Sequence, residues 1–557
     1  MNKKEFKHMA LYFLRIKGIN LSGLLGDTQD LSTIRGGSLA LLDAVMEVAK
    51  HITDAKNLFV VSVGASVGIY RFEADNDEKA AGTCRQARDY LLRDVFAHLT
   101  FALSWEPAIS NYNLTGASLS ARQGRAQMAG ANLVYPAPEI LLPEDARNPV
   151  CSIDLVRPTI GEKRCFIIAG RDNPPISRSV RDRRGYGLES KQALYQQLLL
   201  NEHDSNPTWD RIERDIPGEA KFAFQLSSIS EGGKRPNLRH SLHDKLCVLF
   251  SDGSGFGQLK EDYIATGPAC QAVARHRAYD KQIRGWRQKL LATLLDLLLD
   301  HHACGQPSPE ETLNRQQRNS HRPHVPPWTE DNVIRFETLL WGGDEQLFVL
   351  PARLGWRAIE TFAEQTATWT LDGKQLHHGI GVAFCHHDAP IARVRDLTDR
   401  LAGESKKVTR AATLALPVVL ESFDHIGGVP ELFFRRRTPK NMTGMKTPAA
   451  LFTLDMAQWK SLRTVAEYLA RPPVPEDQPV ISRRRLRHVA IALHNGIGPG
   501  VVKPLNDLAG EILPNGEFGG HYAKFATHGA PAERFWMLLD EFWDYLVPEP
   551  SNTGTAQ

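Results

Sequence analysis

No two of the seven cysteines in this 557-residue chain stand as a C-x-x-C pair. That spacing speaks against the zinc modules built from such pairs and offers no disulfide framework. No signal-peptide pattern opens the chain, because Met1 to Met9 is lysine-rich and no suitable hydrophobic segment follows. No uninterrupted apolar run approaches about 18 residues, so no membrane span is expected. A reduced, cytoplasmic chain without disulfides is the expectation. Charge of one sign is also scarce, with a net charge of only +3. Any nucleic-acid contact must therefore come from local basic patches. What the chain does have is length, enough for about three to four domains at roughly 150 residues each.

It also has acid gathered at two turns. Leu246 to Phe250 reads as an apolar strand running into Ser251-Asp252-Gly253-Ser254-Gly255-Phe256-Gly257. Arg335 to Leu350, RFETLLWGGDEQLFVL, reads as two strands of a hairpin around Gly342-Gly343-Asp344-Glu345. The glycines permit positive φ and leave room for a close approach to the backbone. Carboxylates crowded at a turn repel one another unless a cation joins them. The first turn can offer one carboxylate and several backbone N–H groups to a metal-bound phosphate.

These motifs carry a resemblance. Strand-Asp-Gly-x-Gly-x-Gly, a long helix and strand-GGD(D/E)-strand together resemble the palm domain of GGDEF cyclases and of the large subunit of type III CRISPR effector complexes. The second is the closer of the two. FSDGSGFGQL resembles its first metal turn, and TLLWGGDEQLFVLP its GGDD hairpin and following proline. HHGIGVAFCHHDAPI resembles the next core strand, with Ala-Pro-Ile opening a helix, and Lys406 matches that helix's phosphate-binding lysine. The departure is Glu345, which stands where GGDD has its second Asp; Gln346 stands where GGDEF has Phe.

The resemblance implies an α+β fold: two ferredoxin-like (βαββαβ) palm domains, a small linker domain and a C-terminal helical bundle. Residues 1–108 form a degenerate first palm, 109–243 the linker with a vestigial zinc ribbon, 244–410 the catalytic second palm and 411–557 the helical domain. In the first palm, Leu11 to Ile16, Leu58 to Val63 and Val67 to Phe72 read as strands. Arg35-Gly36-Gly37-Ser38 lies on a helix capped by Asp30 or Ser32. No acid ends the first strand, so this palm is expected to lack metal ligands and to pack against the second. Its RGGS glycines would let the helix lie close to a neighbour or a phosphate. Asp154 replaces a ribbon cysteine beside Cys151, Cys165 is alone, and the chain is expected to bind no structural zinc.

Arg171 to Arg184 reads as a solvated basic loop and Ser190 to Asn201 as a helix. Ala272 to Asp300 reads as one long helix with a buried end. Ala303 to Asn332 reads as a loop insertion, followed after the hairpin by a helix over Trp356 to Gln365. His377, His378, His386 and His387 bracket one strand. A strand spreads its ends roughly 3.3 Å per residue apart, so the four do not make one metal site and read as surface histidines. Ala457 to Ala470, Arg485 to His494, Val501 to Ile512 and Pro531 to Leu546 look helical. Arg435 to Arg437 and Arg483 to Arg487 are basic clusters suited to solvent, RNA or another subunit.

Nucleotidyl transfer is the chemistry such a site suits. Two Mg²⁺ or Mn²⁺ ions about 4 Å apart can lower the pKa of an attacking 3′-hydroxyl and hold the leaving oxygens. Asp252 and Asp344 are the candidate bridging pair, with Glu345 or the Gly253 carbonyl completing the shell. Amides from Ser254, Gly255, Phe256 and Gly257 can cradle a triphosphate, Lys406 can neutralise it, and Gly342 and Gly343 leave space for the nucleotide. By resemblance, ATP is the substrate and a cyclic oligoadenylate, an antiviral second messenger, the product. Partners would be guide or target RNA and other effector subunits, or a second copy of the chain. No His-Asp doublet of an HD nuclease domain stands near the start. A GGDEF-like cyclase making a cyclic dinucleotide and a non-catalytic subunit scaffolding an RNA assembly remain open alternatives.

Overall fold

The structure, a computed structural model, describes residues 9–52, 56–64, 66–109, 112–129, 133–134, 150–159, 167–168, 171–172, 175–200, 206–216, 221–230, 242, 244–301, 333–408, 414–420, 433–434, 437–438, 449–470, 483–494, 521 and 531–547. The insertion at 303–332, Cys165 and the expected helix at 501–512 lie outside them.

The N-terminal sheet is built from β1 (Ala10–Ile19), β2 (Lys56–Gly64), β3 (Val67–Ala74), β4 (Thr100–Pro107) and the short β5 (Leu133–Val134). Their order across the sheet is β2-β3-β1-β4-β5, and every pairing is antiparallel. Helices Leu31–His51 and Asp77–Leu91 fill the two crossovers, which makes the ferredoxin-like arrangement expected of a palm. Asp30 starts the first helix by accepting the Thr33 N–H at 2.9 Å. Burial along β3 alternates strictly, the mark of a sheet with one face on a full core.

The basic stretch after this palm is not a solvated loop. A short ladder of β6 (Ile167–Ile168) and β7 (Arg171–Asp172) comes first, and Ser177 then caps a helix over Arg178–Leu199. Arg183 is fully buried, with its guanidinium on Asp27 at 2.8 Å and the Leu24 carbonyl at 3.1 Å. Those partners lie far away in sequence, so local composition could not reveal them. The same helix explains RGGS. A Cβ on Gly36 would stand 1.7 Å from the Arg183 carbonyl oxygen, and one on Gly187 2.1 Å from that of Ser32. The glycines serve helix–helix contact. In the ribbon region Cys151 is buried, and Asp154 binds the Arg157 side chain at 2.9 Å and the Ser177 hydroxyl at 3.0 Å. A polar turn therefore stands where a ribbon would put a second cysteine.

The second sheet carries β8 (Lys245–Ser254), β9 (Glu337–Trp341), β10 (Glu345–Pro351), β13 (His377–His386) and β14 (Leu414–Leu420). A two-stranded flap of β11 (Thr370–Leu371) and β12 (Lys374–Gln375) precedes β13. The order β14-β13-β8-β10-β9 contains the same ferredoxin-like core. β14 adds a parallel partner to β13, and it lies beyond residue 410, where the sequence reading ends this domain. Helix Ile391–Val408 is thus the crossover from β13 to β14.

Both faces of this sheet are covered, which is why its strands read as continuous apolar runs. On one face, helix Ala352–Thr366 presses Gly355 so near that a Cβ would meet the Phe384 ring at 2.5 Å and Cys247 at 2.7 Å. On the other, a Cβ on Gly381 would stand 1.9 Å from the Thr398 carbonyl oxygen of Ile391–Val408. The long helix Ala272–Asp300 also meets β2 of the N-terminal sheet. The C-terminal helices Met456–Ala470, Arg483–His494 and Pro531–Leu546 pack together, and the Trp459 ring stacks on Trp356 at 3.9 Å. Among the described residues no helix is long and apolar enough to cross a membrane.

Candidate active site

The two acidic turns meet at one end of the second sheet. In the β8/β10 ladder Asp252 lies directly opposite Glu345, so these two side chains share a face. Asp344 sits at the turn before β10, and its carbonyl accepts the Gly253 N–H at 3.1 Å. A Cβ on Gly253 would stand 2.7 Å from the Asp344 Cβ and 2.6 Å from the Phe256 ring. Gly253 is therefore required for the hairpin to lie against β8. Gly342 N–H bonds the Glu345 carbonyl at 2.8 Å and closes the turn.

The hairpin glycines work differently from expectation. Among the described glycines, positive φ occurs at Gly255 and Gly373, and neither hairpin glycine has it. Gly343 instead has open space around its Cβ position, which leaves room beside the turn. Gly255, with φ 71°, turns the chain into helix Phe256–Ala265, so the Ser254 to Gly257 amides lie at a helix start beside Asp252.

Lys406, from the last turn of Ile391–Val408, places its ammonium on Asp252 and on the Gly253 carbonyl oxygen, the latter at 2.9 Å. The lysine stem comes past Gly379, which pairs with Asp252; a Cβ there would meet Lys406 Cγ at 2.5 Å. Asp344 is held above the ordinary carboxylate range, first by burial and then by Asp252. Glu345 is pushed up to about 7, again by burial first and then by Asp252, Asp344 and Asp399. Crowded, partly buried carboxyls of this kind are what a bound cation would relieve. The three carboxylates do not converge on one point, however. Among the described residues, the sets of three ligand-type side chains whose donor atoms lie within 4.8 Å of one another do not include them. The hard oxygen donors and the raised carboxyls fit Mg²⁺ or Mn²⁺, with the Lys406 ammonium on the same Asp252 carboxylate.

Several residues that the motifs do not mark complete the centre. Arg287, 7% exposed on the long helix, donates to the Gly342 carbonyl and, at 3.3 Å, to that of Gly343, with its guanidinium over the Trp341 ring. It is the side chain that sets the hairpin's position. On Ile391–Val408, Asp399 is raised by burial first and also by Asp252. Arg395 nearby is 7% exposed, and its Nε and Nη1 find no hydrogen-bond partner among the described residues. The helical spacing of Arg395, Asp399 and Lys406 puts three charged residues near one face, a signal the apolar periodicity masked.

His378 is a correction. It is 1% exposed rather than on the surface, enclosed edge-on by Phe256, Phe362 and Trp369, and burial drives its pKa down to about 3. It sits in the ladder opposite Gly253 as a neutral packing residue.

Fold and site together describe an α+β protein with two five-stranded sheets of ferredoxin-like order and an acidic hairpin at the end of one of them. Among solved structures, the Csm1–Csm4 cassette in complex with one ATP is similar at 12% identity and a TM-score of 0.51, over 95% of this chain and 70% of that one. The same cassette with pppApApA gives 11% identity and 0.51, over 96% and 69%. Csm1 of T. onnurineus gives 12% and 0.50, over 96% and 70%. At such identities the likeness is one of fold. No family model matches the sequence, and no curated protein matches it.

Proposed function

We propose that this chain is the large subunit of a type III CRISPR effector and a metal-dependent nucleotidyltransferase that makes cyclic oligoadenylate from ATP as an antiviral second messenger. The observation that carries this reading is Asp252 facing Glu345 across β8 and β10, beside Asp344 and under Lys406, at the end of a palm sheet. The similar Csm1 structures with ATP and with pppApApA support it. Asp252, Asp344, Glu345 and the Gly253 carbonyl would hold Mg²⁺ or Mn²⁺, which supplies Lewis-acid activation and charge neutralisation. Charge neutralised at Asp252 frees the Lys406 ammonium for the triphosphate, which the Ser254 to Gly257 amides orient. The 3′-oxygen then bonds the α-phosphorus as pyrophosphate leaves, the hydroxyl proton passing to water. On this reading residues 1–108 are a non-catalytic palm and 109–243 a linker, the catalytic palm runs from 244 through β14 at 420 rather than ending at 410, and the helices after it are a docking domain for RNA or other subunits.

A second reading has one observation in its favour. Lys406 already satisfies Asp252 and the Gly253 carbonyl, as a palm retained purely as scaffold would. Incubation of the purified chain with labelled ATP or GTP, with and without Mn²⁺ and RNA, separates these readings. Metal-dependent conversion of ATP to cyclic oligoadenylate supports the proposal. A cyclic dinucleotide from GTP would point to a GGDEF-like cyclase. No turnover, even in an assembled RNA complex, would leave the scaffold.

A further inference from the structure

The end of the second sheet away from the acidic hairpin gathers a different set of donors. β8 and β13 run antiparallel, with His386 opposite Lys245, so the start of one strand lies beside the end of the other. After His386 the chain turns sharply: Ala389 N–H bonds the His386 carbonyl at 3.0 Å, and His387 N–H bonds that of Asp244 at 2.9 Å. Consecutive residues in an extended strand point to opposite faces. This turn brings the two imidazoles together instead, with ring centroids 4.4 Å apart. One ligand atom from each of Asp244, His386 and His387 lies within 4.8 Å of the others. The sequence reading separates the histidine pairs at the two ends of β13, and the structure keeps them apart. What it adds is Asp244, brought to one pair by the strand register.

We infer that Asp244, His386 and His387 form a transition-metal site, distinct from the acidic hairpin, that takes Zn²⁺. Two imidazoles and a carboxylate are the borderline donor set that selects Zn²⁺ over the hard Mg²⁺. Asp388 stands 3.4 Å from His386 Nδ1 and 3.4 Å from His387 Nε2, where it orients the rings or acts as a further oxygen donor. Asp244 and His386 are exposed and His387 is half-buried, so an ion enters from solvent and water completes the shell. Asp244 and Asp252 are separated by most of β8, roughly 26 Å at the usual rise of a strand. The ion is therefore a clip and not part of the chemistry. It ties the start of β8 to the end of β13 next to Lys245, whose ammonium reaches the Tyr545 hydroxyl of the C-terminal helix at 3.4 Å.

The test is equilibrium dialysis of the chelator-treated full chain against Zn²⁺, in excess Mg²⁺ to occupy the acidic centre. The expected result is one Zn²⁺ per chain in the wild type. His386→Ala/His387→Ala and Asp244→Asn should bind at least about tenfold more weakly. Asp252→Asn/Asp344→Asn and Cys270→Ser should bind as wild type does. Zn²⁺ should also raise the melting temperature of the wild type and of Cys270→Ser, but not that of the double-histidine variant. Because Asp244, His386 and Cys270 are exposed and His387 is half-buried, their variants should melt like the wild type without metal, and His387→Gln provides a milder replacement if the double-histidine variant does not. No Zn²⁺ uptake by the wild type, or equal uptake by the histidine variants, would overturn the assignment.

Discussion

Glu345 is where charge and burial conflict most openly. Its carboxyl stands at about 7 against an ordinary 4.5, so the folded chain holds this proton more tightly than the unfolded chain does. Between those values stability falls as pH rises, because the folded state must then carry a buried charge beside Asp252. The melting temperature of metal-free protein should therefore drop as pH is raised through that window. Mg²⁺ should flatten the drop, and Glu345→Gln should remove it; an unchanged slope in that variant would place the titration elsewhere. Arg395 opposes the shift, so Arg395→Ala should move the window to higher pH. The neighbouring acids lead to a kinetic expectation. Asp252→Ala and Asp344→Ala should each abolish nucleotide turnover while folding persists. Asp344→Ala should be as stable as the wild type or more so, since Asp344 is itself held above its ordinary range by burial and by Asp252. A turnover assay beside a thermal melt checks both, and normal turnover in either variant would end the two-metal reading.

At the scale of the element, the second sheet shows why its strands stand out in the sequence while the face each helix covers does not. β8, β9, β10 and β13 are buried along almost their whole length, and such runs stand out in a sequence. The face a helix covers is set by close contacts at single positions. Gly381 is one: its missing Cβ makes room for the Thr398 carbonyl of Ile391–Val408. Gly381→Ala should destabilise the fold by about 1–3 kcal/mol, with the helix displaced from Asp252. Nucleotide turnover should fall with it, because Lys406 rides on that helix. Urea unfolding and turnover of the same variant test the link, and full activity in a destabilised variant would break it. The basic clusters give the opposite lesson. Arg437 pairs with Glu541 at 2.8 Å and Arg483 with Asp544, so part of the positive charge that suggested RNA is neutralised within the chain.

Over the whole molecule, a buried cluster joins the parts. Arg35 of helix Leu31–His51 and Lys191 of helix Arg178–Leu199 both bind Glu337 of β9, Lys191 at 2.9 Å, with all three side chains 1% exposed. Burial works against the Glu337 charge, but the two cations outweigh it and hold the carboxyl below its ordinary range. Arg35 thus goes to packing between helix Leu31–His51 and β9 of the second sheet, the neighbour rather than the phosphate that RGGS suggested. Arg35→Ala should cost about 3–5 kcal/mol, because it leaves a buried charge short of a partner. Denaturant unfolding should show that loss, while the metal dependence of any turnover stays as in the wild type. An Arg35→Ala chain of wild-type stability would show the cluster to be incidental.

The sequence by itself determined the main strands of the two sheets and the order of strands and helices in them, the acidic turns at Asp252 and at Asp344-Glu345, the long helix and most of the C-terminal helices. These rest on short-range patterns: apolar runs, glycine at turns, a cap at Asp30. Tertiary structure alone decided that Glu345 lies across from Asp252, that β14 extends the sheet, and that His378 is buried among aromatic rings. It also decided that Arg183, Arg35 and Arg287 spend their charge on partners from 55 to 302 residues away. The reason is physical. Backbone preference and side-chain periodicity act over a few residues, whereas strand register, helix contact and the pairing of buried charge depend on which distant segments the fold brings together.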